Sequence, residues 1–406
     1  MALSSDQHEL ATQLFSVLCN DPSKKGENIL ISPISITQSL ALIRDGATSE
    51  SQNRAQLTKL LGDTSVIDPV RSLHKNTLEA NASDEKNSGV KLTIATSLWA
   101  DALNPSYIDL AKSAHFAEAF SLPKQNLFST INQWVSDQTK GIISHLFDPA
   151  QLVDPNMVAV LVNAVYFKGS WLEKFEESKT VDGEFYLRSD TDKETVLPAR
   201  YMTASRRMEV IEHSKELGEA SVLVLNYGQI TSQQFAPEFS ALFFLPADAS
   251  DASMNNLVSG LGSQKILSLL GKVRATEVHL RLPRFKLKFG PTSLKKSLKQ
   301  LGIIDAFDSI KSELFNQMTS DPRTYLDDIL HGAAMEITEE GTVAAAATGA
   351  TMKTRSIVIP FELNFNRPFV VAIVHRPTGL LLFIGRIEQP ELNFESNQNK
   401  KGVDEL

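Results

Sequence analysis

Residues Glu336–Ser356 read EITEEGTVAAAATGATMKTRS, an acidic and apolar lead-in, a glycine and a threonine, four alanines around further small residues, and then an Arg-Ser peptide bond. Side chains of this size bury too little area to hold a place in a packed core. The segment is also too short to be a stable isolated helix in water, in spite of alanine's helix propensity. An exposed loop is the expected resting state. Yet every second residue from Thr342, namely Thr342, Ala344, Ala346, Thr348 and Ala350, would fit an interior if the segment became a strand. Val343, Ala345, Ala347, Gly349 and Thr351 would then face the other way. None of these residues is charged and none is proline. The window taken alone is either a small-residue linker or a conformational switch.

The sequence downstream breaks the tie. Residues 357–390, IVIPFELNFNRPFVVAIVHRPTGLLLFIGRIEQP, hold two strand-like apolar runs, Phe369–Val374 and Leu380–Ile384, joined by a Pro-Thr-Gly turn. That is too little chain for a separate domain. The loop is therefore tethered to one body at both ends, which favours the switch.

At these residues the chain resembles a known family. Glu339-Glu340-Gly341-Thr342 followed by the alanine run is similar to the hinge of the serpins. Asn366-Arg367-Pro368-Phe369 and Leu382-Phe383-Ile384-Gly385-Arg386 resemble their carboxy-terminal hairpin. Residues 28–36 (NILISPISI), Ile131-Asn132-Gln133-Trp134-Val135 and residues 161–171 (LVNAVYFKGSW) match further motifs in the family's order, so the resemblance runs from the first helix to Pro390.

The resemblance implies a mixed α/β fold of about three β-sheets and eight to nine helices, with an exposed reactive-centre loop over about 340–362. It implies one domain over 1–390 and a polar tail over 391–406. It also implies a mechanism: a serine protease attacks the loop and forms an acyl-enzyme, and the cut loop inserts into the main sheet before water can release the protease. The hinge would be Gly341, Thr342, Val343, Ala344, Ala345, Ala346, Ala347 and Thr348. By the family's spacing, sixteen residues on from Glu339 falls Arg355, so the reactive bond would be Arg355–Ser356. An arginine there complements a carboxylate at the base of a protease pocket, so trypsin-like serine proteases are the expected covalent partners, with Lys353 as the runner-up position. Ser32, Ser35, Asn163 and His331 resemble the polar cluster beneath the middle of the sheet. Trp171, Glu339 and Arg284 would lie at its top, the last two as an ion pair.

Composition bounds the rest. A chain of 406 residues with 42% hydrophobic residues can bury a large core, and no linker or internal repeat divides it. A single cysteine, Cys19, permits no intramolecular disulfide and no cysteine metal site, and is expected to be a buried structural thiol. A net charge of −8 argues against nucleic-acid binding. The one basic run, Lys286, Lys288, Lys295, Lys296 and Lys299, reads as a solvated face, with weak polyanion binding as the lesser reading. There is no Gly-x-Ser-x-Gly elbow, no His-Glu-x-x-His pair, no phosphate loop and no dinucleotide fingerprint, so neither an enzyme nor a cofactor is expected. The readings carried forward are a monomeric inhibitor of trypsin-like proteases, a noninhibitory carrier or chaperone, and a polyanion-binding protein.

The amino terminus, MALSSDQHELATQLFSVLC, reads as an amphipathic helix rather than a leader, and no segment is apolar and long enough to span a bilayer. The ending Val403-Asp404-Glu405-Leu406 departs from an endoplasmic-reticulum retrieval signal at its first position. The expected compartment is the cytoplasm, with unconventional release or a removed leader as alternatives. The sequon Asn81-Ala82-Ser83 matters only if the chain is secreted. Periodicity predicts helices over 6–19, 33–44, 50–61, 105–118, 127–146, 254–270 and 292–301. Strands are predicted over 91–99, 158–167, 221–226, 240–245, 277–288 and 324–337, with 158–167 buried on both faces.

Overall fold

A computed structural model describes residues 5–62, 67–82, 89–121, 126–141, 143, 159–188, 195–228, 236–263, 266–309, 311, 317–320, 324–340 and 359–390. Among these residues lie nine α-helices: α1 (Ser5–Cys19), α2 (Pro33–Gly46), α3 (Gln52–Leu61), α4 (Ile67–Ala82), α5 (Pro105–His115), α6 (Leu127–Gln138), α7 (Asp251–Ser263), α8 (Ile266–Leu270) and α9 (Lys295–Gln300). The strands are β1 (Ile29–Ile31), β2 (Val90–Ala100), β3 (Glu118–Ser121), β4 (Ala159–Gly169), β5 (Val181–Tyr186), β6 (Val196–Ser214), β7 (Ala220–Tyr227), β8 (Phe239–Leu245), β9 (Arg274–Pro283), β10 (Phe285–Ser293), β11 (Asp328–Ile337), β12 (Phe361–Asn364), β13 (Phe369–His375) and β14 (Leu380–Ile387).

Local chemistry sets several boundaries. Pro33 and Pro105 each open a helix, where a missing N–H costs nothing. Ser51 caps α3 by accepting from the Arg54 N–H. The β13–β14 turn needs a left-handed residue, which Gly379 supplies at φ +73°.

The strands form two hydrogen-bonded sheets. One has the order β10-β11-β4-β2-β3; the other runs β1-β14-β13-β8-β7-β6-β9-β12, with β5 added on β6. The three sheets expected become two because the 19-residue β6 is continuous, pairing with β5 at its start, β9 through its middle and β7 at its end.

β4 is buried on both faces as expected, and its alternate residues feed separate cores. Leu161, Val165 and Phe167 join the main core, whereas Val160, Val162, Ala164 and Tyr166 join a smaller cluster under α6. The strand predicted over 277–288 is two strands in different sheets: β9 ends at Pro283, the chain turns at Arg284, and β10 begins. The helix predicted to 146 stops at Gln138, the one predicted over 254–270 is two helices, and that predicted to 118 ends at His115 so that Glu118 can start β3. α4, β1, β3, β5, β6 and β12 are additions to the sequence reading.

Candidate functional site: a polar seam between two parallel strands

β11 leads directly towards the small-residue segment. It runs parallel to β4 and pairs with it without interruption from Asp328↔Val160 to Met335↔Phe167. Its middle is unusually small, with Gly332 opposite Ala164 and Ala333 opposite Val165. A strand that followed β11 and folded back between the two would run antiparallel to both. One parallel ladder would thus be exchanged for two antiparallel ones, which have the straighter hydrogen bonds. The hinge Gly341–Thr348 and the Arg355–Ser356 bond lie outside the described residues. The chain resumes at Ile359 and enters β12, which pairs with β9 in the other sheet.

One polar cluster spans this seam. His331 and Asn163 are register partners across it, and His331 Nδ1 lies 2.9 Å from Asn163 Oδ1. The Ser32 backbone N–H donates to His331 Nε2 at 3.1 Å, so the ring proton belongs on Nδ1 and is donated to Asn163. Asn163 Oδ1 also accepts from Ser35 Oγ at 2.7 Å, while its Nδ2 donates to Ser39 Oγ at 3.1 Å and Thr96 Oγ1 at 3.3 Å. Burial holds the imidazole neutral and pushes its pKa down to about 3.

The four residues expected here are therefore brought together. Ser32 contributes its main chain rather than its hydroxyl, which has no partner among the described residues. Ser39 and Thr96 are additions. Ser39 was findable, because Ser32, Ser35 and Ser39 share one face of α2 at helical spacing; Thr96, on β2, carried no such signal.

A second cluster closes the upper end. Glu339 is 2% exposed; its Oε1 accepts from Thr180 Oγ1 at 2.7 Å and lies 3.3 Å from an Arg284 guanidinium nitrogen. The main chain is held as well, since Phe175 N–H donates to Glu339 O at 3.0 Å and the Trp171 indole N–H donates to Thr338 O at 2.8 Å. Trp171 in turn stacks on Tyr227, with centroids 4.2 Å apart. Arg284, at the corner between the two sheets, thus reaches Glu339, two residues before Gly341. Thr180 is an addition that sequence spacing gave no means of finding.

α6 packs on the same sheet, closest to β2. Its Leu127, Phe128, Ile131, Trp134 and Val135 share the smaller core with Leu330 and Ala334 of β11 and with β4. Parting β11 from β4 would therefore disturb this shared cluster. Cys19 is buried, and burial raises its thiol pKa to about 12, so it is no nucleophile at neutral pH. In the basic run, Lys296 pairs with Asp21 at 2.9 Å, and Lys295 and Lys299 lie over the Phe307 ring.

Known proteins are similar to this chain along nearly its whole length. The profile of the family described as Serpin (serine protease inhibitor) matches residues 5–390. Leukocyte elastase inhibitor A of Mus musculus is 31% identical over 408 aligned residues, covering 96% of this chain and 99% of its own length. Serpin-Z7 of Hordeum vulgare is 30% identical over 95% of this chain and 96% of its own. The solved structure of Arabidopsis AtSerpin1 in its native stressed conformation superposes with a TM-score of 0.78, at 26% identity and over 95% of this chain and 97% of that one. With a seam of directly paired strands leading towards a small-residue segment, a family profile matching residues 5–390, and relatives 30% and 31% identical over nearly their full length, this chain belongs to the serpin family.

Proposed function

We propose that this serpin is a suicide substrate of trypsin-like serine proteases, cut at Arg355–Ser356 and trapping the acyl-enzyme by inserting residues 342–351 between β11 and β4. The supporting observation is the direct β11·β4 ladder, which leads through Glu339 into a segment whose ten residues from Thr342 are all small or uncharged. An arginine before the bond forms a charge-assisted pair with an acidic pocket. Once the acyl bond to Arg355 forms, the upstream piece carries the protease and the downstream piece stays with β12.

Insertion must outrun deacylation. Gly341 can take backbone angles closed to other residues, and Thr342, the first residue to enter, brings neither charge nor bulk. A strand of this length gains on the order of ten ladder hydrogen bonds at roughly 1 kcal/mol each. It must also break the His331–Asn163 bond and disturb the cluster that β11 and β4 share with α6, so these contacts set the height of the barrier. The Glu339 clasp would hold the seam shut until cleavage.

Incubation with a slight molar excess of trypsin, followed by denaturing electrophoresis, tests the reading. The expected result is a boiling-resistant band near the summed masses, together with a small fragment that starts at Ser356. Clean cleavage at Arg355 with the protease left active would replace it with a noninhibitory serpin. The polyanion reading draws less support, because the basic run is partly neutralised by Asp21. Salt-sensitive retention on a polyanion column would revive it.

A further inference from the structure

Where the loop rejoins the body, Ile359 stands 86% exposed, against 49% for Ile304, the next most exposed large hydrophobic residue described. The chain beside it is fixed. Phe361 pairs with Val278 of β9 and meets the His213 ring edge-on at 5.9 Å, and Leu363 is buried. Pro360, between the anchored strand and Ile359, has no N–H to extend the ladder. Ile359 is also the last of three consecutive apolar residues, Ile357, Val358 and Ile359, in a place where turn chemistry would favour polar ones. Further along β12, Glu362 and its register partner His279 lie 3.5 Å apart with 75% and 48% of their side chains exposed, so the strand's outer face is polar.

We propose that Ile359 is a specificity-determining anchor for the target protease, seated in an apolar depression on the leaving-group side of that protease's cleft. This rests on the reading of Arg355–Ser356 as the reactive bond. Ile359 is the fourth residue after Arg355, a reach of roughly 14 Å at full extension. A protease closed on the bond therefore has its rim over Ile359 and, beyond it, Glu362 and His279. Since β12 holds the base of the loop, Ile359 can be presented to that rim with little ordering cost. The occupant that fits is a trypsin-like protease with an apolar rather than a charged surface beyond its cleft.

The experiment compares wild type, Ile359→Ser and the control Ile304→Ser, whose residue follows α9 at the opposite end of β10 and β11 from Glu339. The second-order rate of complex formation is measured with trypsin and two other trypsin-like proteases, alongside the melting temperature and the number of inhibitor molecules consumed per protease. Ile359→Ser is expected to slow complex formation about tenfold with at least one protease, as befits an isoleucine left unburied. Melting and consumption should stay unchanged, and Ile304→Ser should match wild type throughout. If wild type is cut at Arg355 without trapping, the cleavage rate is read instead and the same tenfold loss supports the anchor. Equal rates for wild type and Ile359→Ser with all three proteases would overturn it. So would a wild-type dimer that Ile359→Ser dissolves without any change in rate, since the residue would then serve a second copy of the chain.

Discussion

The β13·β14 and β11·β4 ladders are nearly equal in length and opposite in construction. The hairpin is antiparallel, joined by a tight turn, and its Val370, Val371, Ile373, Leu382, Phe383 and Ile384 side chains are completely buried in the main core. Pulling it apart would expose large apolar surface on both strands at once. The seam is parallel, with Gly332, Ala333 and Ala164 at its middle, and the His331–Asn163 hydrogen bond crosses it between apolar flanks that feed both cores. Hydrogen bonds can be exchanged for others of similar strength when a new strand arrives, whereas an exposed core cannot be compensated. The molecule thus centres its separable joint on a polar, small-residue middle, whereas its permanent joint is apolar throughout.

Substitutions at the two joints should fail differently, which is the most direct way to break the comparison. Phe383→Ala is expected to cost about 3–5 kcal/mol of stability through an unfilled cavity. Its denaturant midpoint should fall with no gain in uptake of a synthetic peptide spanning 342–354. His331→Ala should cost less, about 2–4 kcal/mol, by leaving the Ser32 N–H and Asn163 Oδ1 short of a partner. It should, however, take up that peptide and polymerise on warming faster than wild type, read by native electrophoresis. If the two variants behave alike, the seam is not a distinct joint.

Acid sharpens the same contrast. His331 is held near pKa 3 by burial, against about 6.5 when unfolded, so the unfolded chain binds the extra proton between those values. Stability from this residue is whole above pH 6.5 and is lost as pH falls towards 3, at about 1.4 kcal/mol per pH unit. His74 and His375, both lowered to about 4 by burial, act in the same direction. Chemical denaturation of wild type and His331→Gln across pH 5–7 should therefore show a shallower acid slope in the variant, not a flat one. The smallest effect is expected at the clasp. Glu339→Gln retains an acceptor for Thr180 and loses the charge opposite Arg284, about 1 kcal/mol. Its readout is a modest rise in peptide uptake at constant pH.

The apolar parts of this fold were legible in the sequence because burial and periodicity coincide there. β4, β8, β13 and β14 are buried at almost every position, α2 is buried on all sides, and α1 and α6 keep a helical stripe. β6 was not legible, since its exposure pattern is irregular and its partners change along its length. β1, β3 and β12 are too short for any period, and α4 hides Ile67, Val70 and Leu73 among polar residues. Arg284 sits in a run that reads as one strand, and only Pro283 hints at the corner. In the candidate site, Ser39 could be reached by helical spacing. Thr96 and Thr180 come from segments that meet Asn163 and Glu339 through folding alone.

The strand order carries a consequence for how a cut molecule behaves. Any nick between residues 341 and 358 leaves all the described helices and β1–β11 on one fragment and β12–β14 on the other. The shorter fragment nonetheless supplies β13 and β14 to the inside of the larger sheet, between β8 and β1. A nicked chain is accordingly a two-piece particle without a covalent link that still sediments as one body. Size under native conditions is blind to cleavage, and denaturation alone reveals the missing bond.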